Sequence, residues 1–187
     1  MRSPFSFIVK PVGGTRYVNK KNIGGIDLII NTSEENHKAS NRMAEVIELP
    51  LGYSGDIEVG DILLVHHNVF KFYNDMYGRK KSGRSFLKED TFFVDPDQFF
   101  MYKKNGRWIA YDKYCFLRPI EKIKKSIDTN DKEEPLMGRM AYPNEYLKSK
   151  GVEEGMIVGY KPGCNYEFNV DGERMYRLYD HQISMVI

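Results

Sequence analysis

The chain has 187 residues, of which 41% are hydrophobic and 29% charged, a composition typical of one globular domain or two small ones. Its 28 basic and 26 acidic residues leave a net charge of +2, which argues against a dedicated nucleic-acid-binding protein. No apolar run approaches the roughly 18 residues of a membrane-spanning helix, and no signal-peptide core follows the N-terminus. The two cysteines, Cys115 and Cys164, lack a paired spacing, so we expect a reduced, cytoplasmic protein.

The first predicted element is a β-strand over Phe5–Lys10, in which Phe5, Phe7 and Val9 occupy alternate positions. Short segments of this kind, rich in β-branched and aromatic residues and separated by turn residues, recur along the chain. They predict an all-β fold, and small barrels fit their length better than a sandwich does.

The next segment, Asn19–Asn41, places the apolar run Ile23–Ile30 between two polar stretches. The run could be a buried core strand, or it could be the binding segment of a mobile surface loop. Long polar flanks on both sides do not suit a tight barrel, so the pattern favours the loop.

A compact apolar strand, Ile62–Val65, is followed by His66 and His67. Adjacent residues of a strand point to opposite faces, so these two histidines are not expected to share a metal ion. We therefore predict no metal site, and a surface or interface role for the pair.

Aromatic and basic residues are interleaved after this strand, where Phe70–Tyr73 precedes Arg79, Lys80, Lys81 and Arg84. A charged loop tip is the commoner meaning of such a cluster. Stacking rings beside basic residues are also what single-stranded nucleic acids bind. The cluster therefore supports an alternative interpretation, a small-barrel protein that binds single-stranded nucleic acid.

Asp95 and Asp97 flank Pro96 and could be taken for paired catalytic carboxylates. A turn with solvated acids is the better interpretation of this spacing. The chain has no glycine-rich phosphate loop, no Cys-x-x-Cys pair and no Gly-x-Ser-x-Gly elbow. We therefore predict no catalytic residues and no cofactor.

Helical patterns occur only in two short segments, Glu121–Ile127 and Tyr142–Lys150. Near the C-terminus, Tyr166–Val170 alternates and runs into Asp171-Gly172. Because glycine tolerates the positive φ of a type I′ turn, this dipeptide predicts a hairpin whose second strand is Arg174–Tyr179.

An internal repeat relates the two halves of the chain, which we divide near Lys103–Arg107. Four segments recur in the same order, although few residues are identical. The pairs are Phe5–Pro11 with Tyr114–Ile120, Ala44–Val46 with Gly138–Met140, Ile57–Ile62 with Val152–Ile157, and Val94–Phe99 with Leu178–Ile183.

These elements, in this order, resemble the co-chaperonin family, the GroES-like lids of chaperonin chambers. The C-terminal half is the most specific match, from Gly151 to the final edge strand at Ile187. In the first half, "FIVKP" is similar to the family's opening strand and "VGDILLV" to its central strand. The resemblance covers nearly the whole chain, as two copies in tandem.

The resemblance assigns a binding role to Gly24, Gly25, Ile26, Asp27 and Leu28. Family members carry Gly-Gly-Ile-hydrophobic-Leu on a mobile loop that inserts into the chaperonin ring. Asp27 departs from this pattern, so the expected anchors are Ile26 and Leu28 on either side of a solvated carboxylate.

Two further departures separate the chain from the family. The second half has no Gly-Gly-Ile, and its equivalent segment, Lys124–Pro135, is polar and acidic. The first half adds residues around Asn74–Arg84 and lacks the glycine-rich excursion that forms the family's roof. Such departures would fit a divergent, phage-encoded member.

The resemblance implies two GroES-like small β-barrels, residues 1–103 with a mobile loop at 19–41, and residues 104–187. It implies a co-chaperonin that caps a chaperonin ring and assists ATP-dependent protein folding, without enzymatic activity of its own. Family members form rings through terminal strands, so Phe5–Lys10 and Gln182–Ile187 are expected to be edge strands that join neighbouring copies. The chaperonin ring of this family is seven-fold, and each chain has one Gly-Gly-Ile segment, so seven binding segments require a ring of seven chains.

Overall fold

The computed structural model describes residues 2–17, 20–23, 26–29, 40–121 and 133–187. The described chain is mostly β-strand with almost no helix, which confirms the all-β prediction. The strands are β1 Phe7–Pro11, β2 Lys20–Ile23, β3 Ile26–Ile29, β4 Met43–Glu48, β5 Ile62–Val65, β6 Phe72–Asn74, β7 Lys80–Ser82, β8 Phe86–Lys88, β9 Thr91–Val94, β10 Phe99–Lys104, β11 Arg107–Ala110, β12 Tyr114–Glu121, β13 Glu133–Tyr142, β14 Ile157–Tyr160, β15 Tyr166–Val170, β16 Glu173–Tyr179 and β17 Ile183–Val186. The helix α1 is Glu145–Ser149, and three 3₁₀ turns are Val12–Gly14, Pro96–Gln98 and Asp180–Gln182.

The chain forms two compact units, Met1–Arg107 and Trp108–Ile187. Six strands of the larger sheet lie wholly in the first unit, in the order β10-β5-β4-β1-β9-β8, and β11 crosses the division. The sheet of the second unit has the order β17-β14-β13-β12-β16-β15. In the described residues neither sheet closes on itself.

The two sheets have the same strand order when each strand is matched to its counterpart in the repeat. In the first unit the opening strand β1 lies between β4 and β9. In the second unit its counterpart β12 lies between β13 and β16, which are the counterparts of β4 and β9. All of these pairs are antiparallel. The sequence repeat therefore extends to the topology of the two units.

The repeat also holds for hydrogen bonds in the connecting turns. The Gln98 side chain accepts the Asp95 N–H at 3.0 Å, and the Gln182 side chain accepts the Tyr179 N–H at 2.9 Å. Each glutamine ends a 3₁₀ turn and so fixes the entry into the next strand, β10 or β17. Asp95 and Asp97 accordingly lie in a turn, as the sequence predicts.

The core of the first unit is built around β1, where Phe7, Ile8 and Val9 are all buried. The Phe7 ring meets the rings of Tyr53 and Phe99 edge-on, with centroids 5.1 and 5.5 Å apart. The alternation expected for this strand is interrupted by a register shift between Ile8 and Val9, which lets consecutive side chains be buried.

The prediction that Phe5–Lys10 is an edge strand is wrong. β1 pairs with β4 on one side and β9 on the other, so both of its hydrogen-bonding edges are occupied. Phe5 precedes the strand and is 79% exposed. By contrast, β17 forms one edge of the second sheet, and Met185, Val186 and Ile187 are exposed there.

One apolar cluster in the second unit draws on alternate positions of several strands. Cys115 and Leu117 come from β12, and Leu147 comes from α1. The remaining buried members are Met140, Val152, Val158, Tyr160, Tyr176 and Leu178. The cluster therefore joins the adjacent strands β16, β12, β13 and β14 of this sheet to α1.

Two local predictions near the C-terminus can be compared with the structure. Asp171 and Gly172 have φ angles of 50° and 87° and join β15 to β16, which confirms the predicted hairpin. Of the two helical segments, Tyr142–Lys150 contains α1, with the Asn144 side chain accepting the Leu147 N–H at 2.9 Å as an N-cap. In Glu121–Ile127, Glu121 ends β12, and residues 122–127 lie outside the described residues.

Candidate functional site

The predicted binding residues Ile26, Asp27 and Leu28 lie in β3, which pairs with β2 in an antiparallel two-stranded sheet. Ile23 pairs with Ile26, and the pairing continues to Lys20 and Ile29. Among the described strands this sheet is separate from the two large ones, so Ile26–Ile29 is not a strand of either. Gly24 and Gly25, and most of the polar flanks, lie outside the described residues.

The segment that contains this hairpin lies between Tyr17 and Ser40, and these two residues form an isolated antiparallel bridge. Both are almost completely buried. The neighbouring Asn41 N–H donates to the Arg16 carbonyl at 2.9 Å. The two ends of the segment are therefore held together at a fixed point, which we call the loop root.

Asn41 provides much of the hydrogen bonding at the loop root. Its side-chain amide donates to the carbonyls of Val12 and Thr15 at 2.8 and 2.7 Å, and its Oδ1 accepts the Met43 N–H at 2.9 Å. Asn41 is only 7% exposed, so these bonds replace contacts with water. The sequence shows only an amide at the end of a polar stretch, and its structural role was not predicted.

Arg16 forms a second contact at the loop root. Its guanidinium lies 4.1 Å from the centroid of Phe72, 4.7 Å from that of Phe92 and 5.1 Å from that of Phe86. It also donates to Ser82 Oγ at 2.9 Å. Burial lowers the pKa of Arg16, and the carboxylate of Asp90 opposes that shift.

Tyr17 connects the loop root to β6. Its hydroxyl accepts the Phe72 N–H at 3.0 Å, and the two rings stack with centroids 6.1 Å apart and an interplanar angle of 19°. Together, Arg16 and Tyr17 place the loop root directly beside the β6–β7 hairpin, which contains Arg79, Lys80 and Lys81 of the basic cluster predicted from the sequence.

Asp75 organises the turn of this hairpin. It accepts the N–H groups of Tyr77 and Arg79, both at 2.9 Å, and it pairs with Arg79 Nε at 3.2 Å and Lys81 Nζ at 3.4 Å. These bonds, led by the Arg79 N–H, lower the pKa of Asp75. Gly78 follows with a φ of 73°, a conformation that favours glycine.

The basic cluster is divided among several environments. Arg79 and Lys81 contact Asp75, and Lys80 Nζ lies 4.1 Å from the centroid of the Phe72 ring. Arg84 instead lines an open cavity of about 810 Å³. Lys71, Asp95 and Asp97 also line that cavity, so basic and acidic side chains are mixed there. Its other lining residues are Ser3, Ser6, Asn68, Phe72, Tyr73, Gly83, Ser85, Phe93 and Gln98.

The two histidines that follow β5 are closer together than the sequence argument allowed. The rings of His66 and His67 have centroids 4.1 Å apart, because both residues lie beyond the last residue of the strand and its alternation does not apply. In the described part of the chain, no group of three or more His, Cys, Asp or Glu residues could hold a metal ion.

No protein-family model matches the chain, and no curated protein matches it. None of the helices in the described residues combines the length and apolar character that crossing a membrane would require.

Proposed function

We propose that this chain is a co-chaperonin that caps a chaperonin ring and assists ATP-dependent protein folding. Its contact with the ring is the segment containing Gly24, Gly25, Ile26, Asp27 and Leu28. The observation that carries the proposal is the β2–β3 hairpin, which among the described strands forms a sheet separate from the two large ones and lies in the chain between the paired residues of the loop root. The role requires no catalytic residue of the chain's own.

The architecture supports the same proposal. Two units with matching strand order fit a tandem pair of GroES-like small barrels. In this proposal only the first barrel supplies a binding segment.

The energetics suit a lid that must be released. Burying Ile26 and Leu28 would contribute about 3–5 kcal/mol per chain before the cost of ordering the segment. A single contact is therefore weak. Several copies on one ring raise the effective concentration and restore affinity.

The test is a pull-down with a GroEL-type chaperonin ring and nucleotide. Replacing both anchors, Ile26→Ser and Leu28→Ser, should abolish capture while the far-ultraviolet circular dichroism stays unchanged. A matched control replaces two exposed apolar residues of the first unit, Leu51→Ser and Val59→Ser, and should bind as the wild type does. Undiminished capture of the anchor variant would refute the assigned role.

The alternative function, binding of single-stranded nucleic acid, has one observation in its favour. Tyr73 and Tyr77 are exposed on the hairpin that carries Arg79 and Lys81. This alternative predicts a salt-sensitive shift of single-stranded oligonucleotides that is lost when Arg79, Lys80, Lys81 and Arg84 are neutralised.

A further inference from the structure

The β6–β7 hairpin is an exposed surface with no role in the function proposed above. Three of its large side chains are exposed, Met76 at 90%, Tyr77 at 75% and Tyr73 at 52%. Single exposed apolar residues are normal on a protein surface, but a cluster of them in one short element marks an interaction site.

The charge of this hairpin indicates the chemistry of what it binds. Residues 72–82 contain three basic side chains, Arg79, Lys80 and Lys81, and one acidic side chain, Asp75, which gives a net charge of +2. A hairpin with a net positive charge and exposed apolar side chains is complementary to an acidic surface that also carries apolar groups.

The hairpin is held in place before any partner arrives. Asp75 accepts two backbone N–H groups in the turn, and at the base the Arg16 guanidinium packs on Phe72. The Phe72 N–H also donates to the Tyr17 hydroxyl. A preorganised element loses little entropy on binding, so its contacts contribute more of their gross energy to affinity.

The hairpin also lies beside the loop root, where Tyr17 bridges Ser40. Ile26 lies nine positions after Tyr17, so a partner bound at Ile26 is tethered within about 30 Å of the root. The tip of the hairpin extends about 15 Å from Phe72. A partner held by β3 therefore comes within reach of the hairpin.

We propose that the β6–β7 hairpin is a second contact site for the chaperonin ring, in which Met76 and Tyr77 pack on the ring and Arg79, Lys80 and Lys81 pair with acidic side chains around them. This inference rests on the proposed co-chaperonin function and names a further surface for the same partner. The loop supplies a tethered contact and the hairpin supplies a rigid, charged one.

A protein surface fits this hairpin better than nucleic acid does. Arg79 lies 5.1 Å from the centroid of Tyr77, and Lys80 lies 4.1 Å from that of Phe72, so a cation already occupies one face of each ring. These contacts leave one face fewer of each of these two rings for base stacking. The most exposed residue, Met76, has a flexible thioether that suits packing on protein surfaces.

The test measures affinity for a GroEL-type ring with nucleotide, at several salt concentrations, for two hairpin variants. Met76→Ser with Tyr77→Ser should weaken binding by about tenfold at every salt concentration. Arg79→Gln with Lys81→Gln should weaken binding several-fold at low salt and reduce the salt dependence. The matched charge control is Lys148→Gln with Lys150→Gln, two exposed residues of the second unit, and it should bind as the wild type does.

The outcomes separate this inference from the function on which it rests. If wild type binds the ring and the anchor variant at Ile26 and Leu28 does not, but both hairpin variants match wild type, the hairpin proposal alone is overturned. If wild type does not bind the ring, the proposed function is overturned and the hairpin contact with it. A hairpin variant that loses only oligonucleotide binding would identify a nucleic-acid surface instead, and would also overturn the proposal.

Discussion

At the scale of single residues, the loop root depends on one amide. Asn41 joins two carbonyls that precede the loop to an N–H that follows it, with all three distances between 2.7 and 2.9 Å. No other residue type of similar size offers two donors and an acceptor in this arrangement. The segment that carries Ile26 and Leu28 is thereby closed at its base.

We expect Asn41→Ala to lower the free energy of unfolding by about 1–3 kcal/mol, because the carbonyls of Val12 and Thr15 and the N–H of Met43 lose their partner. Urea unfolding followed by circular dichroism measures this loss. Asn68→Ala, at an exposed position, is the control and should change stability by less than about 0.5 kcal/mol. Equal stability of the two variants would show that the Asn41 bonds contribute nothing.

A second residue-scale prediction concerns alkaline pH. Burial, assisted by a 2.6 Å hydrogen bond to Glu133, raises the pKa of Tyr176 to about 12 from its ordinary value of 10.0. As pH rises, the unfolded chain therefore loses the Tyr176 proton before the folded chain does. The contribution of protonated Tyr176 to the free energy of unfolding is complete below about pH 10 and is lost as pH rises towards 12.

Unfolding free energies measured in urea at increasing pH should show this decline, with a smaller decline in Tyr176→Phe. Some decline should remain in that variant, because burial also raises the pKa of Tyr114 to about 12. Tyr146→Phe, at an exposed position, should follow the wild-type curve. Identical pH dependence of wild type and Tyr176→Phe would contradict the prediction.

At the scale of elements, the contact between the loop root and the β6–β7 hairpin depends on Arg16. Its guanidinium packs on three rings and donates to Ser82 Oγ, so Arg16→Met keeps much of the apolar contact but removes the charge and the hydrogen bond. The expected loss is about 1–2 kcal/mol, concentrated in the hairpin.

Hydrogen exchange should therefore accelerate roughly tenfold at the Phe72 N–H, which donates to Tyr17, while β12 is unaffected. Arg107→Met, an exposed arginine, serves as the control. Unchanged exchange at Phe72 in the Arg16 variant would mean that the guanidinium does not hold the hairpin.

The elements differ in how far the sequence could predict them. Asp171-Gly172 was predictable because a type I′ turn depends on two adjacent residues alone. The interior position of β1 was not, because it depends on pairing with β9, more than eighty residues away. The Arg16 contacts were missed for the same reason, since Phe72, Phe86 and Phe92 are brought together only by the fold.

The candidate site shows the same division between local and distant information. The apolar run Ile23–Ile30 between two polar stretches marked that segment, and the structure places Ile26–Ile29 in a separate hairpin. The role of Asn41 has no local pattern. The basic cluster was recognised as a group, but its separation among Asp75, Phe72 and the open cavity depends on the folded backbone.

At the scale of the whole molecule, the repeated topology raises the question of how copies assemble. β17 is an edge strand with exposed apolar residues, whereas β1 is enclosed by β4 and β9. Of the two predicted interface strands, only the C-terminal one remains available to pair with a neighbour. A head-to-tail contact through that edge can close into a ring.

We expect light scattering to find seven copies of the 21.8-kDa chain, a mass of about 150 kDa. Replacing Val186 by Pro should lower the mass, because proline removes an N–H from the exposed edge. Ser184→Ala is the conservative control in the same strand. A stable monomer or dimer of the wild-type chain would contradict a ring, and a ring of six or eight barrels would contradict this stoichiometry.

The most direct measurement of the central claim is electron microscopy of a GroEL-type ring mixed with this chain and nucleotide. We expect additional density that closes the end of the ring, with connections at the first units, and we expect that density to be absent when Ile26 and Leu28 are replaced by serine. Open rings with the wild-type chain, or closed rings with the double variant, would contradict the central claim.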